Sequence, residues 1–153
     1  MIFKDKKQPR IVYMSIARFD KRIFGWLLDE VMPLLSGIGM VFLLMYAIGP
    51  QISIFLIALI AILADYSFYV LFNSLMMLIS NGYTLGMALF GIKTIHQDGQ
   101  RMKARECFLK CFLTGVIPMD IVNAFYMISS HTERSAFDRM TETIVIDRRH
   151  EIE

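Results

Sequence analysis

The chain has 153 residues, room for a single domain. Hydrophobic residues make up 56% and charged residues 20%, with a mean hydropathy of +0.50, an apolar excess over soluble domains that points toward lipid. A net charge of +2 without a basic, aromatic-interleaved tract excludes a nucleic-acid binder, and two cysteines exclude a disulfide scaffold.

Residues 1–21 form a basic amino-terminal segment carrying Lys4, Lys6, Lys7, Arg10, Arg18 and Lys21. A membrane domain over 22–146 follows, and 147–153 are a charged tail. No charged residue occurs from Val31 to Ala64 or from Tyr66 to Ile92, so only Asp65 interrupts that stretch. A spanning helix needs about 20 apolar residues, and the stretch therefore predicts two, over about 22–47 and 52–79. Ile48-Gly49-Pro50-Gln51 reads as the turn between them. A removable signal peptide would need a shorter apolar core and a small-residue cleavage site, and the first segment has neither.

Residues 81–105 read as an interfacial helix at Thr84–Phe90 and a strand at Gly91–Ile95. The Asp98-Gly99 turn would fold that strand back over Arg101–Lys103. The third apolar region, 104–130, is broken by Gly115, Pro118 and Asp120 into halves too short to cross alone. It predicts a broken or re-entrant segment, whose irregular backbone must be covered by protein or line a wet cavity. Thr143–Ile146 is a further strand candidate. The fold class is an all-α integral membrane protein: two transmembrane helices, a third broken or re-entrant segment and a small cytoplasmic β element.

Lysines and arginines crowd the amino terminus, with Arg22 at the first helix start, and recur at Lys93, Arg101, Lys103 and Arg105, while the 48–51 turn has none. The positive-inside rule then puts the amino terminus in the cytoplasm of a multi-pass protein of the cell membrane. Arg134, Arg139, Arg148 and Arg149 suggest the same side for the tail.

Four acids fall at or near membrane depth: Asp29, Glu30, Asp65 and Asp120. A charge at mid-bilayer costs about 2.5–3.5 kcal/mol on insertion scales, and such residues mark pathways or pairing partners. Tyr69 and Asn73 follow Asp65 at helical spacing, giving a polar stripe. Asp65 is either a protonated acid bonded to that tyrosine or to a neighbouring helix, or a cation or proton site. Asp29 precedes Pro33 by four residues, so its carbonyl lacks a helical donor and could join its carboxylate in holding a cation, or could equally accept a proton from a serine or water. Glu30 reads as a neutral acid or a partner for Lys110. Asp120 either caps the returning half-helix or holds an ion at a half-helix end.

Arg22 and Asp29 are two turns apart, about 10.5 Å along the helix axis, and cannot pair there. Asp138 in the tail is the natural partner for Arg22. Cys107 and Cys111 share a helical face with no histidine to complete a metal site, and read as buried free thiols. No metal, cofactor or catalytic constellation is recognisable, so no enzyme is expected.

Arg22-Ile-Phe-Gly25-Trp-Leu-Leu-Asp29 resembles the first-helix signature of the RDD membrane family, an arginine followed seven residues on by an aspartate. The run from Gly82 through Gly86 and Gly91 to Gly99 resembles its second block, and Ser135–Ile146, with Asp138, its closing block. The chain departs at Met87, where the family usually has lysine, at Gly25, where alanine is common, and at Thr141-Glu142, where a small Ala-Gly pair is usual. The resemblance implies transport, including a type of cation/proton exchange, or service as a subunit of larger membrane assemblies. Two functions stand: an oligomeric cation/proton transporter component using intramembrane carboxylates, or a non-catalytic accessory subunit whose acids pair with a larger partner. The expected partners are the lipid bilayer and either copies of the chain or a larger membrane protein complex.

Overall fold

The computed structural model describes residues 2–4, 11–13, 15–48, 53–129 and 134–147. The expected turn residues Gly49-Pro50-Gln51, much of the basic segment and the tail beyond 147 lie outside the described residues. The chain opens with β1 (Ile2–Lys4) and β2 (Ile11–Tyr13), paired antiparallel with Ile2 opposite Tyr13. The short strand β3 (Ser15–Ile16) follows. None of the three was anticipated, because each is too short to show a period.

The first apolar segment is α1 (Phe19–Asp29) and α2 (Val31–Ile48), interrupted at Glu30. Pro33 supplies the reason, since it has no N–H for the Asp29 carbonyl. Together they form a 30-residue apolar run long enough to cross a membrane. The second is α3 (Ile54–Ile79), 26 residues and so about 39 Å long, which exceeds a hydrocarbon core of about 30 Å and calls for tilt. Large exposed side chains such as Phe42, Leu43, Phe55 and Ile62 cover both, the surface a helix presents to lipid.

Beyond α3, α4 (Leu85–Leu89) is capped by the Thr84 hydroxyl, which accepts from the Met87 N–H at 3.2 Å. β4 (Ile92–His96) follows, then α5 (Ala104–Thr114) and α6 (Ile117–Ser129). α5 and the 118–129 part of α6 meet at a 97° bend, the break expected in the third apolar region. α7 (Ala136–Met140) begins with a capping box, in which the Ser135 hydroxyl and the Asp138 carboxylate each accept the other residue's backbone N–H. β5 (Thr143–Asp147) ends the described chain.

The β element differs from expectation in its pairing. β4 does not fold back on Arg101–Lys103; it pairs antiparallel with β5, and β3 completes the order β3-β5-β4. The 101–103 segment has one buried residue, Met102, between exposed Arg101 and Lys103, and runs directly into α5. β5 is buried at every position, so it alone repays pairing on both edges. Alternation divides its side chains: Val145 packs with Ala17 and Ile92, and Ile144 and Ile146 with Ile95. The outer edge of β4 is met by Gly82, whose carbonyl accepts the Thr94 N–H at 2.9 Å. At Gly82, φ is +103° and a Cβ would lie 1.9 Å from the Thr94 oxygen, so both conformation and space require glycine.

Candidate functional site

Asp138 is the best-buried acid, with a side chain 1% exposed. Its capping box fixes it at the start of α7, and β5 behind it turns the carboxylate toward the helices. The Arg22 guanidinium of α1 bonds one oxygen, and the Lys110 ammonium of α5 donates to the other at 2.7 Å. Lys110 also reaches the Thr143 hydroxyl at 3.3 Å, which lies 2.9 Å from that of Thr141. Burial alone would raise the Asp138 pKa, but the charges of Lys110 and Arg22 outweigh it and hold the carboxyl well below the usual carboxylate range. The structure thus brings Arg22 and Asp138 together, and it assigns Lys110 to Asp138 rather than to Glu30. A separate pair, Lys21 with Asp147, ties α1 to the end of β5.

Asp29 is also buried and fully engaged. Its Oδ2 accepts the Thr84 hydroxyl at 2.5 Å and its Oδ1 the Gly86 N–H at 2.7 Å. The carboxylate therefore docks α4 onto α1, a use that the spacing to Pro33 did not reveal. The contact needs the bare backbone of Gly86, where a Cβ would lie 1.9 Å from the Gly25 carbonyl oxygen.

Asp65 is differently placed. Tyr69 turns away from it, with its hydroxyl 3.4 Å from that of Thr114 in α5, so the expected tyrosine–aspartate bond is absent. Asp65 instead faces Gly37 of α2, where a glycine Cβ would sit 3.4 Å from its Oδ1. That oxygen is buried and has no hydrogen-bond partner among the described residues. Asn73, 1% exposed, likewise leaves both amide atoms without partners among them. At the start of α6, the Asp120 N–H bonds the Val116 carbonyl. A buried oxygen of the Asp120 side chain, Oδ2, has no partner among the described residues, so it is not spent as a helix cap. Glu30 lies close enough to Asp65, Asp29 and Asp120 to interact with all three electrostatically.

A cavity of about 230 Å³ lies among α1, α5, α6 and α7, and neither Asp65, Asn73 nor Glu30 lines it. Asp29 and Asp120 line it together with Arg22, Lys110 and Asp138, between mainly apolar walls that include Trp26. Cys107 and Cys111 are buried free thiols on the α5 side of the core. Among the described residues no group of histidine, cysteine or acids is arranged to hold a metal ion.

The family model described as the RDD family matches residues 16–142. The chain belongs to the RDD family. No curated protein and no solved structure matches it.

In this RDD-family protein the signature residues do two jobs. Asp29 and Gly86 join α1 to α4, while Arg22 and Asp138 join α1 to α7. Gly91 forms the left-handed turn between α4 and β4, with φ of +66°. Thr84, Thr143 and Gly37 escaped the sequence reading as site residues, and Lys110 was offered only to Glu30. Thr84 was legible as a cap, and Lys110 as a lone cation in an apolar run, but their partners are distant in sequence. Asn123 was also missed: its Oδ1 accepts the Ala136 N–H at 3.0 Å, holding α6 to α7.

Proposed function

We propose that this RDD-family membrane protein is a small, non-enzymatic transport protein of the cell membrane that exchanges a cation for protons. One observation carries the reading: Asp65 and Asp120 each keep a buried carboxylate oxygen without a hydrogen-bond partner among the described residues. Glu30 links the two electrostatically. An ionised carboxyl away from water needs a proton, a cation or a basic group, and the bases nearest the cavity, Arg22 and Lys110, are bonded to Asp138. Proton and cation would then compete for the same oxygens.

The basic amino-terminal segment favours a cytoplasmic amino terminus. So few apolar elements cannot enclose a polar path alone, and the working unit in this reading is an oligomer. Asp29 is taken out of the transport role by its two hydrogen bonds.

The test is sodium- or potassium-driven pH change in proteoliposomes holding wild type, Asp65→Asn or Asp120→Asn. Asparagine keeps the shape of the protonated acid and cannot take a cation's charge. Flux in wild type and its loss in Asp65→Asn support exchange. Flux equal to that of empty vesicles in every case removes the reading and leaves an accessory subunit, whose acids would meet a basic partner.

A further inference from the structure

His96 ends β4 with its side chain 16% exposed, and carboxylates from three different segments surround it. Its Nδ1 accepts the Asp98 N–H at 3.3 Å, with the Asp98 carboxylate 3.4 Å away. Its Nε2 faces Glu106 of α5 at 3.9 Å and Glu142 of the α7–β5 turn at 3.6 Å. Glu106 is itself tied into the helix, since its other oxygen accepts the Lys103 N–H at 3.0 Å at the start of α5. Glu142 has φ of +52°, and its carbonyl accepts the Gln97 N–H at 2.8 Å, so its position is fixed by the strand pairing beside it.

We propose that His96 is a proton-operated clasp between the three-stranded sheet and the first turn of α5. In the neutral ring the Nδ1 lone pair is occupied by the Asp98 N–H, which leaves the ring proton on Nε2, directed toward Glu106 and Glu142. A proton taken from solvent must go to Nδ1. It displaces the Asp98 N–H and turns Nδ1 into a donor for the Asp98 carboxylate. The ring then carries a positive charge facing Asp98, Glu106 and Glu142. The clasp therefore tightens when the ring gains a proton and loosens when it gives one up. Through Glu106 the effect reaches α5, which carries Lys110 to Asp138 and Thr114 to Tyr69. The clasp requires no transport activity and stands independently of the function proposed above.

Hydrogen exchange of peptides covering 96–107 in the full-length protein in detergent tests it, with rates corrected for the intrinsic effect of pH. Half-exposed ion pairs are worth a fraction of a kcal/mol each. Protection in wild type should therefore rise about threefold from about pH 8 to pH 5.5. His96→Gln should show no such rise. Glu106→Gln/Glu142→Gln should lose at least half of it, and because the glutamine amide oxygen can still accept the Lys103 N–H that variant keeps the start of α5 tied. A flat wild-type profile overturns the proposal, as does an undiminished rise in His96→Gln or, should that variant fail to fold, in the double glutamine variant.

Discussion

Gly25 of α1 and Gly86 of α4 meet backbone to backbone, and the contact is one-sided. A Cβ on Gly86 would lie 1.9 Å from the Gly25 carbonyl oxygen, whereas a Cβ on Gly25 would come no closer than 3.5 Å to Gly86. Gly86→Ala should therefore cost about 3 kcal/mol or more, beyond ordinary overpacking, because a helix carbonyl cannot rotate aside. Gly25→Ala should be tolerated and gain up to about 1 kcal/mol of helix propensity. Unfolding of both variants in detergent checks the asymmetry, and equal losses would contradict it.

Asp138 joins two cations in a buried place, so its removal leaves Lys110 and Arg22 facing each other without the shared carboxylate. Asp138→Ala should cost about 3–5 kcal/mol. Arg22→Ala/Asp138→Ala should cost little more than Asp138→Ala alone, because the interaction is already gone. Strictly additive losses would count against direct coupling.

The same carboxylate sets an acid limit. Its pKa is lowered in the folded protein, so its contribution is fully present above the unfolded value of about 3.9. It is lost as pH falls through the lower native value. From pH 7 to about pH 4, the stability difference between wild type and Asp138→Asn should stay constant, then shrink with further acid. A difference that already shrinks between pH 7 and 5 would contradict the coupling to Lys110 and Arg22.

Thr84 serves twice, donating to Asp29 and accepting from the Met87 N–H. Thr84→Val removes both bonds and should cost about 2–3 kcal/mol. Thr84→Ser keeps the hydroxyl and should stay within about 1 kcal/mol of wild type. Thermal unfolding distinguishes the pair.

Gly37 leaves the space through which Asp65 meets α2. Gly37→Leu fills that space without touching a charge. If Asp65 works as an exchange site, the leucine should reduce ion-driven pH change in proteoliposomes at least tenfold, about 1.4 kcal/mol, as Asp65→Asn should. Unchanged flux would place the working oxygen elsewhere.

The linear pattern was enough to establish the membrane class, both long helices, the break in the third apolar region and the existence of strands near 92–96 and 143–147. Each is a local property, fixed by the length of an apolar run, by a proline or by alternation. The capping box from Ser135 to Asp138 is local too, and the Arg22–Asp138 contact was reachable only because both residues stood out as charges without near partners. Tertiary structure decided the rest. Lys110 chose Asp138 over Glu30, Tyr69 chose Thr114 over Asp65, β4 chose β5 over the 101–103 segment, and Asp29 was spent on Thr84 and Gly86. In these cases the chosen partner is distant in sequence, 28 residues away for Lys110 and 45 for Tyr69, so the choice depends on which backbones approach closely. At Gly86 that approach is set by the absence of a side chain, and a glycine in sequence does not say what will come to fill the space.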